Sequence, residues 1–321
     1  MARQGFLEAL SARTLVLDGA MGTEIQRLGP SAGDFPGGQD GFNDGLVQSR
    51  PEWIRQIHRS YLEAGADCVE TDTFGSNRIK LDEYGMGDQT VAQNRAAAEL
   101  AAAEAAAAPP PARYVVGTMG PTGHLPSSSD PDLGRMPLGE IREAFALQAE
   151  GLAAGGADAL LIETSQDILE VKMAILGARE GMGRAGRDVP IIANVTLDRY
   201  GKMLLGTGVQ AAYTTVRGMG IDAFGLNCST GPAEMEPSVR WLDENSEHPV
   251  LVAPNAGMPE NADGQAVYRM GPDEMAGLVS SFLDRYARVR IVGGCCGTRP
   301  EHVARLREAV DARAGRGAGD R

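Results

Sequence analysis

Short apolar runs alternate along this chain with longer stretches of helical period, and the alternation recurs eight times. Residues 14–17, 66–71, 113–117, 157–163, 189–195, 221–226, 249–253 and 289–292 predict strands. Helices are predicted at 51–64, 89–108, 138–154, 168–179, 208–219, 232–245, 272–286 and from 300 to about 314. In the first of these, Trp53, Ile54, Ile57, Tyr61 and Leu62 recur by threes and fours until Gly65 ends the run. The second is alanine-rich and is closed by Pro109, Pro110 and Pro111. Residues 18–23 read as a polar, glycine-rich loop. The stretch 29–45 reads as a loop over one end of the fold, too polar for core, and 120–137 as a further loop.

Eight strands, each followed by a helix, use nearly the whole length. The strands are apolar on both faces, as a parallel sheet covered by helices requires. They predict a single-domain α/β fold, a (β/α)8 TIM barrel over residues 1–315, with a flexible tail at 316–321. A doubly wound open sheet would give the same local pattern and stays as the alternative. Position favours the barrel: Asp18, Thr71, Glu163, Asn194, Cys228, Asn255 and the pair Cys295, Cys296 fall at or just past the carboxyl ends of predicted strands. Barrel enzymes carry their chemistry on that face.

Composition narrows the class. An apolar share of 43% and a charged share of 23% are those of an ordinary globular protein. A formal charge of −13 argues against a nucleic-acid or anionic-membrane partner and for a small molecule or another protein. The absence of an apolar run near twenty residues, and of a signal-peptide core at the start, predicts a soluble cytoplasmic protein. Four cysteines in 321 residues make no disulfide framework. Cys68, inside a strand-like run, reads as a plain core residue.

Gly293-Gly294-Cys295-Cys296-Gly297 places two thiols side by side at a strand-to-helix junction. A bond between adjacent cysteines is strained, so a metal is the more natural use, with Cys228 as the candidate third ligand. Three thiolates suit zinc, at sulfur distances of about 2.3 Å. Of the four histidines, His58, His248 and His302 lie away from the predicted strand ends, while His124 falls in a long loop and stays open as a fourth ligand. Three firm ligands and an open position are a catalytic arrangement. A complex that is already net negative would activate water poorly but would take one more thiol, which predicts thiol alkylation rather than hydrolysis. Asp18 and Glu163 at one mouth suit an α-ammonium group, and backbone N–H groups of Gly19, Ala20 and Met21 suit an α-carboxylate. Each has a plainer use. Asp18 can cap the following turn, Glu163 can cap or pair with a cation, Thr71 and Asn194 can be scaffold, and Cys228 can be core.

Six stretches follow one another from near the start to about Val303: Asp18-Gly19-Ala20-Met21-Gly22-Thr23, residues Glu70 to Asn77, Gly120-Pro121-Thr122-Gly123, residues Glu163 to Asp167, Gly225-Leu226-Asn227-Cys228, and Gly294-Cys295-Cys296-Gly297-Thr298. In these the sequence resembles the homocysteine S-methyltransferase family, most closely the homocysteine-binding barrel of the cobalamin-dependent methionine synthases. The resemblance implies a (β/α)8 barrel whose zinc is held by Cys228, Cys295 and Cys296. Homocysteine sulfur would join as a fourth ligand and take a methyl group to give methionine. It further implies Asn255 as an oxygen ligand when substrate is absent, and Asp18 and Glu163 as holders of the amino-acid end. Asp72 departs from the asparagine expected there and adds negative charge near the mouth.

A betaine-using relative would need aromatic walls for a quaternary ammonium. This chain has 2 Trp and 7 Tyr, with Trp53 and Trp241 on predicted helices, and reads Asp-Gly-Ala rather than Asp-Gly-Gly in its first loop. A methyl-corrinoid donor, methylcobalamin, is therefore favoured over betaine or S-methylmethionine. The chain carries no Asp-x-His-x-x-Gly cobalamin motif, so the corrinoid would sit on another domain or a separate protein. A non-catalytic barrel using the thiols for zinc storage or redox sensing is the alternative of a different class.

Overall fold

In the computed structural model, which describes residues 4–262 and 265–319, the strands are β1 (Leu15–Val16), β2 (Cys68–Glu70), β3 (Tyr114–Met119), β4 (Ala159–Ser165) and β5 (Ile191–Val195). They continue as β6 (Ala223–Asn227), β7 (Val250–Ala253), a short pair β8 (Glu260–Ala262) and β9 (Gln265–Val267), and β10 (Val289–Val292). Eight of them form one parallel sheet in the order β1-β10-β7-β6-β5-β4-β3-β2, and a parallel bridge from Leu17 to Cys68 brings its two edges together. The result is a (β/α)8 barrel rather than an open doubly wound sheet.

Side chains alternate between the two faces of each strand, and the core divides accordingly. Val16, Val69, Val115, Leu160, Ile162, Ile191, Phe224 and Val250 point outward into one apolar cluster with the surrounding helices. Leu15, Leu17, Cys68, Tyr114, Val116, Ala159, Leu161, Ile192, Leu251 and Ile291 point inward and fill the barrel. A helix that the sequence reading missed, Phe6–Ala12, closes the amino end by adding Phe6, Ala9 and Leu10 to that inner cluster. Phe6 meets Tyr114 edge-on at 5.7 Å.

The predicted strands hold with shifted ends: the third and fourth run on to Met119 and Ser165, the sixth begins at Ala223 rather than 221, and the helix predicted at 208–219 runs Val209–Val216. The loop expected at 18–23 turns helical from Met21 to Arg27. The 29–45 stretch corrects the reading of it as too polar for core. It forms three single 3-10 turns and buries Phe35 and Phe42, the latter stacked on Tyr84 at 4.1 Å. The closing helix runs Pro300–Gly319, and of the predicted tail, residues 320–321 lie outside the described residues. No helix among the described residues is long and apolar enough to cross a membrane.

Candidate active site

Period-two alternation carries the inward face of each strand up into the carboxyl-terminal mouth. Two residues beyond inward Cys68 comes Glu70, beyond Leu161 comes Glu163, beyond Ile192 comes Asn194, and four beyond Ala223 comes Asn227. These side chains, with Gly19, Ala20, Met21, Thr71, Asp72, Cys228, Tyr268, Cys295 and Cys296, line a cavity of about 1080 Å³. That is at the upper end of small-ligand sites. Gly225 makes part of the room: a Cβ there would lie 2.5 Å from Asn194 Oδ1.

The sulfurs of Cys228, Cys295 and Cys296 all lie within 4.8 Å of one another, and Cys228 Sγ is 3.7 Å from Cys296 Sγ. Tetrahedral thiolates at about 2.3 Å from a zinc would stand about 3.8 Å apart, so the donor set and its spacing fit that metal. The backbone is bent to present them. Cys228 and Ser229 take φ +62° and +65°, a left-handed conformation that side chains adopt at a cost of about 1 kcal/mol each. Cys228 N–H donates to Ala253 O at 3.1 Å, and Cys295 N–H to Pro254 O at 2.8 Å, which ties the ends of β6, β7 and β10 together.

The three thiols share protons unequally. Hydrogen bonds from Cys228 and Cys295 hold Cys296 down to about 3, with a further one from Tyr268. Cys228, although a hydrogen bond from Cys295 favours its thiolate, is pushed up to about 12 by donating to Cys296 and by burial. Cys295 is raised well above the usual thiol range by donating to both neighbours. The cluster thus concentrates one negative charge that a divalent cation would extend to all three sulfurs.

Facing the sulfurs is a group of carboxylates. Burial raises Asp18 despite a hydrogen bond from Glu70 N–H to its Oδ2 at 3.0 Å. Burial, with the charges of Glu163 and Asp18, raises Glu70. Burial lifts Glu163 to about 7, against hydrogen bonds from Thr164 and from Asn227 Nδ2, the latter at 2.9 Å. Among the described residues no lysine or arginine forms an ion pair with any of the three. Asp18 Oδ1 and both polar atoms of Asn194 have no hydrogen-bond partner in the protein, although both residues are buried. Buried polar atoms of this kind are costly unless a ligand meets them.

Other predicted residues sit differently. Asp18 and Asn255 lie behind the cavity wall rather than in it. Asn255 N–H donates to Thr230 O, and its buried Oδ1 has no partner. Thr71 lines the cavity, but its hydroxyl is occupied by Thr73 Oγ1 at 2.6 Å and by Thr118 N–H at 3.0 Å. Ala20 N–H is taken by Thr298 Oγ1 at 3.2 Å. His124 is not in the cavity lining. Three residues escaped the sequence reading as site residues: Glu70, Asn227 and Tyr268. The first was legible from its place two residues after Cys68, and Asn227 from its place four after Ala223. Tyr268 follows an irregular excursion with no period.

A family profile described as homocysteine S-methyltransferase matches residues 15–310. The chain is 44% identical over 306 residues to a methionine synthase of Mycobacterium tuberculosis and 42% identical over 312 residues to one of Mycobacterium leprae. In both cases 95% of this chain is aligned but only 25% of the relative, so the chain spans about a quarter of their length. Among solved structures, the homocysteine methyltransferase MmuM from Escherichia coli in its metallated form superposes with a TM-score of 0.74 at 23% identity, over 94% of this chain and 99% of that one. Its oxidized form gives 0.73 at 24% identity, over 96% and 99%. At that identity the likeness concerns the fold.

Proposed function

The chain belongs to the homocysteine S-methyltransferase family, and from that premise we propose that it binds zinc through Cys228, Cys295 and Cys296 and transfers a methyl group to homocysteine. The observation that carries the reading is three clustered thiols sharing one cavity with Glu70 and Glu163, with buried Asp18 behind its wall and no ion-pair partner for any of the three carboxylates among the described residues. Held by those three cysteines, zinc would supply Lewis acidity that favours the nucleophilic thiolate form of an incoming thiol. The chain does the rest. Glu70 and Glu163 receive the substrate's ammonium group, and Asp18 adds negative charge from behind the wall, which gives these carboxyl groups the cation that the protein does not supply. Asn194, with a free donor and a free acceptor, orients the amino-acid end. Backbone around Gly19 and Met21 receives the carboxylate, since Ala20 N–H is already engaged. Asn255 Oδ1, buried without a partner behind the cavity wall, would turn toward the sulfurs to serve as an oxygen ligand in the absence of substrate.

The cavity is far larger than one amino acid, which leaves space for a donor to approach from the mouth. We take that donor to be a methyl-corrinoid, methylcobalamin, carried by another domain or protein, in keeping with relatives four times as long. The test combines metal analysis with titration by homocysteine and a parallel turnover assay with methylcobalamin, betaine and S-methylmethionine. One bound zinc, a proton released on adding homocysteine, and methylation from methylcobalamin are expected. Zinc binding without any response to homocysteine would overturn the reading in favour of a storage or sensing role, and activity with betaine alone would overturn the donor.

A further inference from the structure

Resting on that reading, we infer that Tyr268 is the positioning residue whose hydrogen bond shields Cys296 from the methyl group. Four sulfurs would surround the metal during reaction, and three of them belong to the protein. Proximity alone does not choose among them. A sulfur lone pair engaged by a hydrogen bond is less available to attack carbon, so the donors around each sulfur decide which one reacts.

Two of the protein sulfurs have such a donor. Cys228 receives the backbone N–H of Ser229. Cys295 has only Asn227 Nδ2 at 4.0 Å, an amide whose two hydrogens already go to Glu163 Oε2 and Thr164 Oγ1. Cys296 receives the Tyr268 hydroxyl together with its own backbone N–H. Of these donors only the tyrosine can be removed without rebuilding the turn that holds the cysteines or the contact that holds Glu163.

The placement of Tyr268 is built in. It follows β9 on the excursion between β7 and the helix Pro272–Arg285. Both ends of that excursion are pinned beside the cysteine pair: Met270 N–H donates to Ala256 O at 3.1 Å, Ala256 N–H donates to Cys296 O at 3.0 Å, and His302 Nε2 lies 3.0 Å from Met270 O. Gly297 then leaves the seat for the ring. A Cβ there would lie 2.3 Å from Tyr268 Cβ and 2.4 Å from its Cγ. The residue after the cysteine pair is therefore glycine for two reasons, its φ of +78° and the tyrosine packed on it.

Iodoacetamide provides the test, because a thiolate attacks its carbon, forms the S–C bond and expels iodide with the bonding pair, and no proton need move. Zinc-loaded protein without homocysteine is treated with the reagent, and adduct at each cysteine is followed by peptide mass spectrometry while zinc is assayed with a chromogenic chelator. In Tyr268→Phe, Cys296 should be modified on the order of 10-fold faster than in the wild type, with Cys228, Cys295 and zinc content unchanged within about twofold. Gly297→Ala, which keeps the phenol but displaces the ring, should give the same selective rise. Equal Cys296 rates in wild type and both variants would overturn the inference. So would acceleration of all three cysteines together with zinc loss, which would make Tyr268 a mere support of the loop. A wild-type protein that holds no zinc would bring down both this inference and the proposed function. Unchanged Cys296 rates in a protein that holds zinc and responds to homocysteine would bring down this one alone.

Discussion

The two ends of the barrel treat buried acids in opposite ways. At the amino end Asp67, 1% exposed, accepts Val16 N–H at 2.9 Å and meets Arg13 at 2.7 Å, Arg307 at 2.9 Å and Arg113 at 3.4 Å. At the carboxyl end, Asp18 Oδ1 and Asp72 Oδ2 are buried without a partner, and Glu70 and Glu163 have no cation beside them among the described residues. Asp67, Glu70 and Asp72 lie within a few residues of one another, on and beside the same strand. Position along β2 therefore decides whether a carboxylate braces the fold or waits for a ligand. The lesson is that charge at one end is neutralised by the chain, and at the other it is left for something that arrives.

The comparison can be pressed hardest at the cysteines. Cys295→Ala or Cys296→Ala should abolish zinc retention and reduce methyl transfer to background, as read by metal analysis and turnover. Cys68→Ala, inside the barrel rather than at its mouth, should keep both and lose about 1 kcal/mol of stability. Zinc loss in the Cys68 variant would show that the third thiol had been misassigned.

Next in size is a pair of substitutions at opposite ends. Asp67→Ala strands three arginines around a buried site and should cost about 3 kcal/mol in chemical denaturation. Asp18→Asn should leave stability unchanged or slightly improved while weakening homocysteine binding on the order of 10-fold. If both variants lose stability alike, the contrast between the ends is wrong.

A smaller effect is expected from pH. Glu163 is lifted to about 7 in the folded protein, so between its ordinary value near 4.5 and 7 the native state holds more protons than the unfolded chain. Its contribution to stability is present below that window and is lost as pH rises through it. His58 acts in the other sense: burial lowers it to about 4, so its contribution is lost as pH falls from about 6.5. Those two nearly cancel between pH 4.5 and 6.5, and Glu170, which burial also lifts to about 7, tips the balance, so melting temperatures of metal-free protein should decline from pH 4 toward 8 and Glu163→Gln should flatten that decline between 4.5 and 7. An unchanged profile in the variant would sink the assignment.

Asp72→Asn should do least. It removes a buried charge that Asp44 and burial already oppose, keeps the shape, and should stabilise the protein by about 1 kcal/mol with homocysteine affinity within about threefold of wild type. A larger loss of affinity would make Asp72 a substrate contact.

Much of this was legible because barrel strands and helices repeat with distinct periods, and because a glycine-flanked cysteine pair has few structural uses. What was not legible is local or irregular. The helix Phe6–Ala12 is too short to show a period, and its role depends on the inward residues of strands far along the chain. Phe35 and Phe42 sit singly in a polar stretch, so only the tertiary fold shows that they are buried. Glu70 was hidden by reading Thr71 as the strand end, a slip of one residue that turns a side chain to the opposite face. Tyr268 belongs to an excursion whose path is set by hydrogen bonds to Cys296 and His302, neither near it in sequence.

The helix plugging the amino end has a kinetic consequence. With Phe6 and Leu10 filling the floor, the cavity lies at the carboxyl end of the barrel, and under the proposed function reactant, methyl source and product would all pass through that mouth. A bulky methyl source standing in that doorway would trap whatever lies beneath it. Under the proposed function turnover would then be ordered: the thiol would enter first, the methyl source second, and the methylated product would leave only after the source had withdrawn. Excess methyl source should accordingly act as a dead-end inhibitor, competitive with the thiol.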